Sequence, residues 1–308
     1  MTGYLTLYGG GTVLLPPFLQ WSFKYTDGDP CDSFSVCFCH ERALTQQLKT
    51  AVGFRAVHGG KTVFTGLVDD YEVQLGERGL LTEVTGRGMA AALMDNQVRA
   101  AEYQSAQMQD ILNAYVRPWG VTKIDAEALG PVEKFVVETG YSCWQALAGY
   151  CRHSANVFPR FTEDGTLVLR RGASGKTVRL AQAQCVSAKI LKSRYGRSSR
   201  QILVDTRTGA QHVSVDEEFV REGGSCVKVH GVTGDKIRAA WRTAEQRVED
   251  AARDRTLLEI KTAGAFTARP LDTVSVMLPE LGVSGDFTVQ AAESCCDAKG
   301  MLCTLTLR

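Results

Sequence analysis

From Leu19 to Tyr25 every second residue is large and apolar: Leu19, Trp21, Phe23 and Tyr25 alternate with Gln20, Ser22 and Lys24. Successive side chains of an extended chain point to opposite faces, so this pattern predicts a strand with one buried face and one wet face. The same alternation returns in Phe34, Val36 and Phe38, set between Ser33, Ser35 and Cys37, and in Met301, Cys303, Leu305 and Leu307. Val52, Phe54 and Ala56 predict a further strand. Glycine is abundant, at 30 residues of 308, and proline scarce, at 8, as many tight turns between short strands would require. Residues 26–30 read as a turn, His58-Gly59-Gly60-Lys61 as a two-residue hairpin connection, and residues 76–79 as a second hairpin turn between strands at 71–75 and 80–85.

Helical spacing enters after residue 88. Residues 89–95 predict a short helix, and Met108, Ile111, Leu112 and Tyr115 share one helical face, with Ser105 as its cap and Pro118 as its stop. A strand is expected at 134–138. Ser142 caps a second helix carrying Trp144, Leu147, Ala148 and Cys151 inward, and a hairpin turns about Glu163-Asp164-Gly165. Strands then resume at 186–191, 201–205, 225–230, 257–261, 273–278 and 287–291. Asp235 is expected to cap a helix over 235–255 that turns Ile237, Trp241, Ala244, Val248 and Ala251 inward. The order is β block, α/β insert, β block: a mainly β chain with an α/β insert, of the α+β class.

Composition narrows the function. With 35 basic and 34 acidic residues the chain is not a general polyanion binder, and no apolar run reaches the roughly 18 residues of a membrane span. The first twelve residues carry no signal-peptide pattern, so the ten cysteines are expected as free thiols of a reducing compartment. The densest polar cluster is Cys31, Cys37, Cys39 and His40. Zinc favours such ligands, but the spacing fits no finger or ribbon, and packed strand thiols are favoured. Cys295 and Cys296 could add ligands only if the termini meet. Gly172-Ala173-Ser174-Gly175-Lys176-Thr177 imitates a phosphate loop, yet Arg170 stands where the first glycine belongs, which favours a plain turn. Lys189, Lys192, Arg194, Arg197, Arg200 and Arg207 form a basic stretch with only Tyr195 as an aromatic platform. It is read as a solvated loop or as an interface with an acidic neighbour. Asp69-Asp70 and Glu217-Glu218 are adjacent carboxylates, which a strand would place on opposite faces. The five histidines are scattered and read as surface or satisfied residues. No catalytic, cofactor-binding or metal-binding residue is assigned.

Several segments together resemble a known family. They are Asp32-Ser33-Phe34-Ser35-Val36, Lys61-Thr62-Val63-Phe64-Thr65-Gly66-Leu67-Val68-Asp69, and the run from Thr82-Glu83-Val84-Thr85-Gly86-Arg87-Gly88 through Leu93-Met94-Asp95-Asn96. Glu138-Thr139-Gly140-Tyr141-Ser142-Cys143-Trp144, Glu163-Asp164-Gly165-Thr166-Leu167, Pro270-Leu271-Asp272-Thr273-Val274 and Leu281-Gly282-Val283-Ser284-Gly285 follow in the same order, with Leu271 where the family has glycine. The set resembles the baseplate hub proteins of contractile phage tails and tailocins, the family of late control protein D and of Mu-like and prophage-like hubs. Residues 205–230 lie outside the resemblance and are read as a local contact surface.

The resemblance implies two tube-like β-barrel domains, 1–98 and 178–308, the latter with the helix 235–255, and an outer α/β domain, 99–177. It implies a homotrimer whose six similar domains ring a channel and join the sixfold tail tube to the threefold central spike. Implied partners are the tail tube protein, central spike protein, tape-measure protein and other baseplate proteins, with no specific nucleic-acid binding and no membrane insertion. The implied location is the virion tail baseplate or tailocin particle, assembled in the host bacterial cytoplasm. The implied role is structural, with no enzyme activity and no cofactor. Two rivals remain: a tail-associated cell-wall hydrolase, with Cys151 and His153 as nearest candidates, and a zinc-binding interaction module built on Cys31, Cys37, Cys39 and His40.

Overall fold

Alternating side chains and glycine-marked turns produce one 13-stranded sheet that runs through both β blocks of this computed structural model. The structure describes residues 1–27, 31–77, 79–171, 175–232, 237–239, 241–252 and 256–308. The N-terminal block contributes Thr2–Leu7, Thr12–Leu14, Phe18–Thr26, Ser33–Cys39, Ala51–His58, Lys61–Gly76 and Gly79–Gly88. The C-terminal block contributes Thr177–Ala181, Cys185–Lys192, Thr256–Ala263, Thr273–Leu278, Val283–Asp297 and Gly300–Leu307. The blocks join where Phe18–Thr26 pairs antiparallel with the far half of Val283–Asp297. The chain is mainly β with a mixed insert.

Three apolar cores sit under this frame. The first is aromatic: Phe23, Phe34, Phe38, Phe54 and Phe64 are buried together with Trp21 and Tyr25. The second is aliphatic and small, built on Leu258, Ile260, Val274, Val276, Cys303 and Leu305. The third belongs to the mixed insert, where the helices Met108–Tyr115 and Cys143–Ala155 pack on the strands Ala101–Ala106 and Val132–Val137. Each of these helices shows its apolar face inward, with Ile111, Leu112 and Tyr115 on one and Ala146, Leu147, Tyr150 and Cys151 on the other.

Ser142 caps the second helix as expected: Gln145 N–H donates to its Oγ at 3.1 Å, and Ser142 N–H donates to Gln145 Oε1 at 2.8 Å. Ser105 does not cap the first. It lies in the strand Ala101–Ala106 with its hydroxyl on Glu133, while Gln107 and Asp110 close the helix start. The expected helix 235–255 is also shorter. Asp235 lies outside the described residues, Ile237–Arg238 is a strand parallel to Val132–Val137, and the helix covers Ala244–Ala252. Thr243, whose Oγ1 accepts from Gln246 N–H at 3.2 Å, caps it instead. Leu19 faces solvent rather than the core, because a bulge between Phe18 and Gln20 reverses the alternation at that end of the strand.

Candidate assembly site

The resemblance motifs are structural clamps. Gly66 and Gly86 sit where two strands cross closely: a Cβ on Gly66 would lie 2.1 Å from Arg87 O, and one on Gly86 would lie 2.0 Å from Leu67 O. Arg87 forks onto Asp69, at 2.7 and 2.8 Å, and onto Asp95, at 2.8 and 2.9 Å. It ties the bulged strand to the short helix Ala91–Met94, and its guanidinium holds the Asp95 carboxyl below the usual carboxylate range.

The sequence candidates for chemistry are dispersed. Cys37 and Cys39 lie on the outer face of Ser33–Cys39, opposite Phe34, Val36 and Phe38. Cys31 precedes that strand and His40 follows it, so about 20 Å of extended chain separates them. His40 spends its Nδ1 on Thr82 Oγ1 at 2.8 Å and its Nε2 on Thr45 Oγ1 at 3.2 Å. Burial pushes the Cys31 thiol up to about 12 against the attraction of Arg87, which keeps it protonated. The termini do meet, with Cys296 paired to Trp21, yet among the described residues no three His, Cys, Asp or Glu side chains gather as a metal site.

Cys151 is fully buried, and burial pushes its thiol to about 12. His153 donates from Nε2 to Arg238 O at 3.2 Å and stacks on Trp241, with burial lowering its pKa. It pins Arg238 and Trp241 to the helix. Gly172, Ala173 and Ser174 of the phosphate-loop imitation lie outside the described residues. Its end, Thr177, opens a strand rather than a helix, and Lys176 N–H donates to Asp272 Oδ1 at 2.8 Å.

The basic stretch is partly internal. Arg197 is buried, paired with Asp216 at 2.8 Å and Glu222 at 2.9 Å, with its guanidinium 4.2 Å from the Phe219 ring centre. Lys192 also reaches Glu222, at 2.9 Å, and Lys189 reaches Glu259 at 3.1 Å. The acidic neighbour expected in another subunit is supplied in good part by this chain. These contacts organise a small three-stranded sheet of Gln211–Val215, Arg200–Asp205 and Val227–Val232, so the 205–230 segment is folded.

The best-formed polar site is the junction where all three cores meet. Arg308 reaches Asp27 at 2.7 Å. Arg269 reaches Glu163 at 2.8 Å and lies 4.0 Å from the Tyr25 ring centre, while the Tyr25 hydroxyl donates to Val63 O at 2.5 Å. Asp32, Arg160 and Phe161 line the clefts between them. Burial pushes the Asp32 carboxyl up to about 7, with Thr26 N–H opposing, Glu163 adding and Arg269 opposing. This is a fastening of N-terminal, central and C-terminal segments by charge-assisted bonds, built to hold geometry.

Residues 90–171 match the family described as baseplate hub protein gp44-like, second domain. The whole chain superposes on the 43 kDa tail protein of prophage MuSo2 from Shewanella oneidensis with a TM-score of 0.75 at 16% identity, covering 100% of this chain and 97% of that one. The fold is that of phage tail hub proteins. A tail protein from Neisseria meningitidis MC58 gives a TM-score of 0.76 at 19% identity, covering 99% and 95% of the two chains. An Escherichia coli component of the type VI secretion system, described as structurally similar to the T4 tail proteins gp27 and gp5, gives 0.58 at 10% identity, covering 94% of this hub-like chain and 73% of its own. A comparison with curated proteins returns no match. Among the described residues, no helix of the hub-like fold is long and apolar enough to cross a membrane.

Proposed function

We propose that the chain is a structural hub subunit of a contractile phage tail or tailocin baseplate, a homotrimer whose ring joins the sixfold tail tube to the threefold spike around a channel. The observation that carries this reading is the hub-family match over residues 90–171 inside a whole-chain fold shared with two tail proteins, one of them from a prophage. The working division is 1–98 and 178–308 as tube-like domains and 99–177 as the outer domain. Leu93, Val98 and Ala239 pack into the central core, so short segments reach across those limits.

The role is architectural rather than catalytic: Cys151 and His153 are committed to packing and the three-way junction to ion pairs. The tail tube, central spike, tape-measure and other baseplate proteins are the proposed partners. The site of action is the particle's baseplate, assembled in the host cytoplasm. The test is the solution mass of the purified chain by light scattering, followed by negative-stain imaging. Three chains of 33.6 kDa give a particle of about 100 kDa with a central hole. A chain that stays monomeric alone and with its spike and tube proteins overturns the proposal.

A further inference from the structure

The two β blocks repeat one strand plan, and the repeat exposes an unfinished joint. Lys61–Gly76 and Val283–Asp297 are both long strands with a bulge near the middle, between Val68 and Asp70 in one and between Val289 and Ala291 in the other. Each ends in a hairpin whose return strand opens on a glycine at positive φ, Gly79 at 90° and Gly300 at 116°. The return strands bury the same positions: Thr82, Val84 and Gly86 in one, Cys303, Leu305 and Leu307 in the other. Next come Ser33–Cys39 and Thr256–Ala263, then Phe18–Thr26 and Cys185–Lys192. Through these ladders Trp21 corresponds to Ala188, Phe23 to Ile190 and Tyr25 to Lys192.

One joint in the repeat is made within the chain. Past its bulge, Val283–Asp297 pairs on its free side with Phe18–Thr26, placing Ala292 opposite Tyr25, Ser294 opposite Phe23 and Cys296 opposite Trp21. Ala292, Ser294, Phe23 and Tyr25 are thereby buried, and Ser22 Oγ donates to Glu293 at 2.9 Å. The counterpart joint has no second half. Residues 70–76 pair on one side with Gly79–Gly88, and Cys185–Lys192 pairs with Thr256–Ala263. Among the described residues the other side of each is an open edge. Tyr71, Val73 and Leu75, the counterparts of Ala292, Ser294 and Cys296, are exposed, Leu75 at 79%, and Ile190 is exposed at 44%. Long exposed apolar edges invite pairing.

Resting on the hub reading, we propose that these two edges pair between copies of this chain, antiparallel, with Val73 opposite Ile190, Leu75 opposite Ala188 and Tyr71 opposite Lys192. The edges are complementary in chemistry. The apolar side chains meet on the face that the internal joint buries, and Glu72, the counterpart of Glu293, meets Lys189, the counterpart of Ser22. Asp70 and Glu72 mark one edge as acidic; the other carries Lys189 and Lys192, each already shared with one carboxylate of its own chain, Glu259 and Glu222. Six strands lie between the two edges in the sheet order, so a contact of this kind runs head to tail from copy to copy. Such a contact closes into a ring when the rotation allows, and three copies then alternate three internal joints with three external ones.

The test uses the full chain and three variants. Val73→Asp and Ile190→Asp each place a charge at the centre of the proposed joint while altering a side chain that is exposed in the single subunit. Each is expected to keep the far-UV circular dichroism of the wild type and to weaken assembly by about 100-fold or more. Mixing a Val73→Cys chain with an Ile190→Cys chain under mild oxidation is expected to yield a disulfide between those two positions, identified by peptide mass mapping. Directly opposed strand residues lie within disulfide reach. If the wild type is a closed oligomer and both aspartate variants stay assembled, with no 73–190 disulfide, the pairing is wrong and the ring reading stands. If the wild type assembles neither alone nor with its spike and tube proteins, the ring reading fails and the pairing fails with it.

Discussion

The two β blocks share a strand plan and differ in almost everything that fills it. The first is packed with rings: Phe34 and Phe54 stack at 4.1 Å between centroids, and Phe64 lies 5.2 Å from Phe34 and 5.4 Å from Phe23. At corresponding places the second carries Leu258 for Phe34, Val274 for Phe54 and Ile190 for Phe23. Where the first has Gly66 and Gly86, the second has Phe287 and Leu307. The reason lies in the rings, since a Cβ on Gly66 would come 2.8 Å from the Phe64 ring and one on Gly86 would come 2.7 Å from the Phe34 ring. Large rings lie over bare backbone in one block; in the other, Phe287 and Leu307 stand where that backbone is bare and smaller aliphatic side chains stand where the rings are. Bulge, turn and strand order therefore set the architecture, and side-chain volume is redistributed around it.

The largest expected effect breaks the ring cluster. Phe54→Ala removes a buried ring that contacts four other phenylalanines and should cost about 3–5 kcal/mol. Its counterpart change, Val274→Ala, removes two methyl groups and should cost about 2 kcal/mol. Urea denaturation of both variants checks the ranking. Equal losses would mean that the rings add nothing beyond volume.

Gly86→Ala comes next. The new methyl would press on a carbonyl oxygen as well as on a ring, and backbone cannot swing aside as a side chain can, so a loss of about 3 kcal/mol is expected. The matching position in the second block already holds Leu307, fully buried, and Leu307→Ala should cost a similar amount for the opposite reason, a cavity. A neutral Gly86→Ala would show that the close approach is not a constraint and would remove the stated difference between the blocks.

The same redistribution explains what was legible in the chain. Strict alternation at Trp21–Tyr25, Phe34–Phe38 and 303–307 marked strands because one face is uniformly apolar. The Ser142 helix was legible from its cap and spacing, and the hub resemblance from glycines that serve the strand crossings. Thr12–Leu14 and Gln211–Val215 were not, because they are short edge strands with little buried surface to impose a pattern. The internal repeat was invisible because corresponding residues differ in kind: only register reveals that Gly86 and Leu307 share a position. The basic stretch reads as a solvated loop or an interface with an acidic neighbour, and its sequence does not show that Arg197 is internal, because its partners, Asp216 and Glu222, lie 19 and 25 residues away. Pairing at that range is a property of the fold.

The junction between the blocks should respond to pH. The folded environment raises the Asp32 carboxyl to about 7 from an ordinary value of 3.8, so the native state binds the proton more tightly than the unfolded chain does. Its contribution to stability is fully present below the ordinary value, falls as pH rises toward 7, and is flat above. Asp32→Asn keeps an acceptor for Thr26 N–H and removes the charge. It should gain about 2 kcal/mol over the wild type at pH 8 and little at pH 4. Parallel stability curves for the two proteins would show that Asp32 ionises freely and that the junction is wet.

The smallest effect comes from a change that touches neither block. Ser142→Ala deletes the hydroxyl that accepts from Gln145 N–H and leaves the reciprocal bond, from Ser142 N–H to Gln145 Oε1, in place. A loss of about 1 kcal/mol is expected, the usual cost of an N-cap. The helix it starts carries Leu147, Tyr150 and Cys151 into the central core, and His153 holds residue 238 of the chain that returns from the second block. If the central core and the β blocks unfold as one unit, this cap should lower the single transition seen by every probe. If they unfold separately, it should move the transition of the central core alone and leave that of the aromatic block, followed through Trp21, where it was.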